Sequence, residues 1–119
     1  MIAVIDDDAA TCRSIQRLLR AHGFESLTYT SANSFLDTAH IKDIQCLILD
    51  VRMPGLSGPE LQEFLLRANV LIPIIYVTGF VDDKVKSNLG KGGTVEILEK
   101  PFSDDALMAH VKAIVKVFN

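Results

Sequence analysis

The sequence predicts an α/β protein built on a parallel five-stranded sheet, each strand followed by a helix, with helices covering both faces. Two observations carry that prediction. Apolar runs such as Ile2 to Ile5, Leu47 to Leu49 and Ile74 to Val77 are short and nearly continuous, the pattern of strands buried on both faces. Between them lie stretches with apolar residues at helical spacing, several of them opened by a capping serine, so that strand and helix alternate along the chain. Each strand-helix-strand crossover is then expected to be right-handed.

In order, residues 2–5 (IAVI) form the first strand and run straight into Asp6, Asp7 and Asp8. From about Ala9 to His22, Ile15, Leu18, Leu19 and His22 mark one helical face, Arg13, Arg17 and Arg20 a basic outer one, and Gly23 the stop. Residues 24–30 (FESLTYT) alternate and carry aromatic and β-branched side chains, as a second strand does. Ser31 caps a short helix presenting Phe35, Leu36 and Ala39, and the charged stretch at Lys42 and Asp43 reads as a loop. The third strand spans 45–50 and ends abruptly on Asp50, ahead of a Pro54-Gly55 turn. Ser57 and Glu60 then have the spacing of a capping box, with Pro59 tolerated in the first turn. The helix they open shows Leu61, Phe64, Leu65 and Ala68 on one face. Pro73 leads into a fourth strand ending at Thr78 and Gly79. Residues 81–91 form a weak helix, since only Val81, Val85 and Leu89 are strongly apolar and Asn88 and Gly90 oppose it. Residues 94–98 (TVEIL) form the fifth strand, followed by Glu99, Lys100 and Pro101. Ser103 caps a last helix with Asp104 and Asp105 in its first turn and Leu107, Val111, Ile114, Val115 and Phe118 on one face.

Bulk properties exclude several classes. A chain of 119 residues makes one domain with a real core. A net charge of -3 argues against a generic nucleic-acid or membrane surface. No apolar run spans a bilayer and no signal-peptide flank precedes the first strand, so the expected location is the cytoplasm. Cys12 and Cys46 have neither metal nor disulfide spacing and read as reduced packing residues. His22, His40 and His110 show no ligand spacing, and the Gly-rich run 90–94 precedes a strand and lacks a phosphate-loop pattern.

The chemistry gathers at strand ends. Asp6 and Asp7, Asp50, Thr78 and Lys100 all fall at the C-terminal edge of the sheet, where open parallel sheets build their sites. Crowded carboxylates repel unless a cation joins them, and hard divalent ions take oxygen ligands. A lysine and a hydroxyl beside them suit a phosphoryl group. The residues therefore point to a Mg²⁺-dependent acyl phosphate on Asp50.

The ordered signatures I-D-D, L-D-V-R-M-P-G-L-S-G, V-T-G and E-K-P-F resemble the receiver domain of bacterial two-component response regulators, over the whole of residues 1–119. The wording looks most like the FixJ group, whose members typically carry a C-terminal LuxR-type DNA-binding domain that these residues lack. The resemblance implies a flavodoxin-like (βα)5 three-layer sandwich with strand order 2-1-3-4-5. It implies that Asp50 accepts a phosphoryl group from a sensor histidine kinase. Asp6, Asp7, Asp50 and the carbonyl of Arg52 would bind Mg²⁺, Lys100 would pair with the phosphoryl group, and Thr78 would be the switch hydroxyl beside a small Gly79. Lys100-Pro101 is expected to be cis. The chain would be a regulatory domain, not an enzyme, that assists its own phosphorylation and dephosphorylation. Phosphorylation would alter the face of the fourth helix, fifth strand and fifth helix, controlling homodimerisation or a transcriptional output domain. No direct nucleic-acid or membrane contact is expected.

One position departs from the family. Ile97 stands three residues before Lys100, where an aromatic switch residue is usual, and its β-branched side chain is stiff. Phe80 is a candidate to take over part of that role, and the Arg52 side chain reads as solvated. A haloacid dehalogenase-type phosphohydrolase would need a second Asp where Arg52 stands. A pseudo-receiver that only binds protein is the alternative that Ile97 supports.

Overall fold

The computed structural model describes residues 1–87 and 91–115. The predicted contributions of Asn88, Leu89, Gly90 and Phe118 lie outside them. Five strands, β1 (Ile2–Ile5), β2 (Ser26–Tyr29), β3 (Cys46–Asp50), β4 (Ile74–Thr78) and β5 (Thr94–Glu99), alternate with helices α1 (Ala9–Ala21), α2 (Ala32–Thr38), α3 (Gly58–Arg67), α4 (Asp83–Lys86) and α5 (Asp104–Ile114). All strand pairs are parallel, in the order β2-β1-β3-β4-β5, the expected order.

Strand alternation divides the core in two. Ala3, Ile5, Leu47, Leu49, Ile74 and Tyr76 face α2, α3 and α4, where they meet Phe35, Leu61, Leu65 and Val85. Ile2, Val4, Cys46, Ile48, Ile75 and Val77 face α1 and α5, against Ile15, Leu19, Leu107 and Val111. Each fully buried aliphatic side chain stabilises the fold by about 1.5–3 kcal/mol. In β5 the register slips once: Thr94 pairs with Ile74 but Glu96 with Ile75, so Val95 is left without a partner on β4.

The helix starts follow their caps. Ser31 and Ser103 accept from the amides of Ser34 and Ala106, and Ser57 and Glu60 make both bonds of the capping box. Gly23 and Gly55 take positive φ values of 86° and 76°, as the helix stop and the Pro-Gly turn require. Cys12 and Cys46 are free and buried.

Several expectations are corrected. Strand β2 is shorter than 24–30, because it pairs only with β1, whose Ile2–Ile5 match Ser26–Tyr29 residue for residue. His22 is exposed at the C-cap of α1 instead of on its apolar face, since the helix ends at Ala21. A 3-10 turn spans Ile41–Asp43 where a plain loop was expected. In α3 the buried face is Leu61, Gln62 and Leu65, while Phe64 and Ala68 are exposed. Gln62 earns burial by bonding: Tyr76 Oη donates to its Oε1 at 2.6 Å, and its Nε2 donates to Thr94 Oγ1 at 2.8 Å and Lys91 O at 2.6 Å. The weak helix at 81–91 is, among the described residues, only Asp83–Lys86, with Asp82 as N-cap and Val81 before it.

Candidate functional site

The first three acids do different work. Asp8 caps α1, its carboxylate accepting from Ala10 N at 2.9 Å and Thr11 Oγ1 at 3.2 Å. Asp6 is 1% exposed and accepts from the Asp8 amide at 2.9 Å, while Asp7 is exposed. Because β3 lies beside β1, Asp50 arrives next to them. One carboxylate oxygen from each of Asp6, Asp7 and Asp50 lies within 4.8 Å of the others. Three oxygen donors, with two of the acids buried, fit a hard divalent cation such as Mg²⁺ and offer nothing to a softer metal.

Lys100 closes the cluster from the end of β5, where its amide donates to Thr78 O at 2.7 Å. Its Nζ lies 2.8 Å from Asp6 Oδ2 and 3.8 Å from Asp50 Oδ2. The Lys100-Pro101 peptide is cis. Burial by itself would lower the lysine's pKa, but the hydrogen bond to Asp6 and the charges of Asp50, Asp6 and Asp7 outweigh it and raise the amine above its ordinary value. Asp50 moves the other way from comfort. Desolvation first, and the Asp6 charge second, push its carboxyl up to about 6, against partial relief from Lys100 and from the Arg52 amide. That amide donates to Asp50 Oδ1 at 3.4 Å, and no described residue donates to the Arg52 carbonyl.

Thr78 ends β4, 1% exposed. Its hydroxyl makes no bond to Asp50 and instead donates to Phe80 O at 3.1 Å. The Arg52 side chain is exposed, as expected, and is at the same time tied to the loop after β4. Its Nη1 donates to Thr78 Oγ1 at 2.9 Å and to Phe80 O at 2.8 Å, and its Nη2 to Asp82 Oδ2 at 3.2 Å. The guanidinium also stands 5.8 Å from the centre of the Phe80 ring. These partners lie 26 to 30 residues from Arg52, so no local pattern announces them. Ile97 is half-buried, opposite Tyr76 on β4. The structure thus gathers Asp6, Asp7, Asp50 and Lys100 in one cluster, with Thr78 beside it in a second set of bonds centred on Arg52.

Residues 2–112 match the response regulator receiver domain family. Nodulation protein W of Bradyrhizobium diazoefficiens is 41% identical over 113 residues, which are 95% of this chain and 50% of that protein. The transcriptional regulatory protein FixJ of the same organism is 39% identical over 115 residues, 97% of this chain and 56% of that one. The chain thus spans about half the length of the curated relatives it matches. Among solved structures, the response regulator StyR superposes with a TM-score of 0.89 at 37% identity, covering 97% of this chain and 58% of that one. A response regulator receiver protein from Burkholderia phymatum gives 0.82 at 38% identity, covering 98% and 95%.

Proposed function

The chain belongs to the response regulator receiver domain family, a regulatory domain and not a classical enzyme, and from that premise we propose that it is a switch set by phosphorylation of Asp50. The observation that carries this reading is the buried Asp50 carboxylate with Lys100 at 3.8 Å and Asp6 and Asp7 within ligand distance. The donor is a sensor histidine kinase. A lone pair on an Asp50 oxygen forms the new O–P bond as the P–N bond to the kinase histidine breaks, and the electron pair leaves with the imidazole nitrogen. Asp6, Asp7, Asp50 and the Arg52 carbonyl would hold Mg²⁺, which would supply positive charge to offset the crowded acids and the transferred oxygens. Lys100 balances the charge on the phosphoryl oxygens from its place near Asp50. Thr78 gives its hydroxyl proton to a phosphoryl oxygen in place of Phe80 O. The same site assists hydrolysis of the acyl phosphate.

The domain comprises residues 1–119 and works in the cytoplasm. No described helix is long and apolar enough to cross a membrane. The face of α4, β5 and α5 carries the change to a second copy or to a transcriptional output domain outside these residues, with no nucleic-acid contact by this domain itself. Ile97, with no ring to rotate, favours a second reading, a protein-binding module indifferent to phosphorylation. Incubation with acetyl phosphate and Mg²⁺ separates the two. Mass spectrometry should find one added phosphoryl group, lost in Asp50→Asn. No label, or a label that survives the substitution, overturns the proposed acceptor.

A further inference from the structure

One side chain joins the loop after β3 to the loop after β4. The Arg52 guanidinium donates to Thr78 Oγ1, Phe80 O and Asp82 Oδ2, and Asp82 is at the same time the N-cap of α4, its Oδ1 accepting from Val85 N at 2.8 Å. A threonine hydroxyl has one proton and two lone pairs. Here the proton goes to Phe80 O, and the oxygen faces Arg52 Nη1 at 2.9 Å and Phe80 N at 3.4 Å. The hydroxyl is fully engaged within this loop, and nothing is left to offer Asp50. Among the described residues, Val85 is the one buried residue of helix α4.

We propose that Arg52 is a positioning residue: it latches Thr78 and the N-cap of α4 in the unphosphorylated arrangement and releases both together when Asp50 carries a phosphoryl group. The proposal rests on the acceptor role of Asp50. Three features support release. The Arg52–Asp82 pair is open to solvent, with side-chain exposures of 50% and 38%, so it is screened and weakly held. A phosphoryl group carries a charge of about -1.5 to -2 and three strong acceptor oxygens, a stronger draw for a guanidinium than one carboxylate and two neutral oxygens. The Arg52 backbone N–H already donates a hydrogen bond to Asp50 Oδ1 at 3.4 Å, so a change there is felt at the root of the side chain. When the guanidinium turns to the phosphoryl oxygens, the Thr78 hydroxyl is free to swing its proton from Phe80 O to a phosphoryl oxygen, and Asp82 keeps only its cap bond. This gives the signal a path to α4 that needs no ring at Ile97.

Amide hydrogen exchange at Val85 and Lys86, read by NMR on the 119-residue chain without a phosphodonor, tests the latch. Arg52→Met should speed exchange about three- to tenfold, because the cap loses its outside support, and should move the Thr78 methyl resonance. Arg52→Lys should recover only part of the effect, a point charge being unable to span three acceptors, and Asp82→Asn should speed exchange while leaving Thr78 in place. Beryllofluoride with Mg²⁺ should then speed exchange in the unsubstituted chain by a similar factor and change Arg52→Met little. Exchange in Arg52→Met within about twofold of the unsubstituted chain overturns the latch. Unchanged exchange with beryllofluoride, in a chain whose Asp50 takes label from acetyl phosphate, overturns the release. Failure of Asp50 to take label is instead a failure of the acceptor role, and removes the trigger while the apo measurement still judges the latch.

Discussion

Helices α3 and α4 follow neighbouring strands, lie on the same face of the sheet and each start on a side-chain cap, but they are held very differently. Helix α3 runs for 10 residues from a full capping box and buries Gly58, Leu61, Gln62 and Leu65. Its Gln62 is bonded to β4, to β5 and to the turn before β5. Even its start is locked: a Cβ on Gly58 would come within 2.4 Å of the Asp50 carbonyl. Helix α4 has 4 residues, one of them buried, and its cap leans on Arg52. Asp50 ends the strand that leads to the anchored helix, and Thr78 ends the strand that leads to the loose one. The carboxylate cluster is thus set on the stiff side. A response that must move at small cost is set on the soft side.

The contrast can be broken most severely in the core. Leu61→Ala should lower global stability by about 2–5 kcal/mol in urea unfolding, whereas Val85→Ala should cost about 1–2 kcal/mol and show itself as faster amide exchange confined to α4. Equal global losses would mean that α4 is as integral as α3.

A second measurement concerns the cost of holding the stiff side charged. With its carboxyl pushed up to about 6 by burial and by Asp6, Asp50 is charged at pH 7 against the preference of the fold. Asp50→Asn, with metal chelated, should therefore gain about 1–3 kcal/mol at pH 7. A folded pKa raised above the unfolded one contributes stability that is complete below the unfolded value and lost as pH rises through the folded value. The gap between the two proteins should thus open between pH of about 4 and 6 and close at lower pH. Thermal denaturation at pH 7 and below pH 4 checks both ends, and a gap independent of pH would locate the strain elsewhere.

The finest test compares the caps alone. Ser57→Ala should cost about 0.5–2 kcal/mol of global stability. Asp82→Ala removes the same kind of bond but should leave the global value within about 0.5 kcal/mol, because α4 can open without the rest. A global loss at Asp82 as large as that at Ser57 would erase the distinction.

The same asymmetry decides how much was legible in the sequence. Serine caps, the Pro54-Gly55 turn and strand ends are local events, and they predicted the elements and the Asp6, Asp7, Asp50 and Lys100 cluster. Spacing puts Phe64 on the apolar face and says nothing of Gln62, because it counts apolar residues and cannot see that Tyr76, 14 residues on, supplies Gln62 with a partner. The hydrogen bonds of the exposed Arg52 are invisible for the same reason, since its partners come from another loop. Among the described residues, α4 starts two positions later than the weak pattern at 81–91 suggests, where propensity is low and the Asp82 cap sets the start. The order of the strands came from resemblance, not from the pattern itself.

The unpaired Val95 has a consequence at a distance. Side chains along a strand take even and odd sides in turn, and a spare residue changes the parity of all that follows. Asp6 and Asp50 continue the even positions of Ile2 and Val4 and of Cys46 and Ile48, which look toward α1 and α5. Lys100 continues the side of Leu98, which lies opposite Val77 only because the slip precedes it. Were Val95 to settle beside Ile75, the same sequence would deliver its ammonium to the opposite side, and the acids would keep their places without their counter-charge. A shorter strand lacking that residue would still be in phase; one longer by a residue after Glu96 would not. The phase of β5, fixed at its entrance, decides on which side of the sheet the cation arrives.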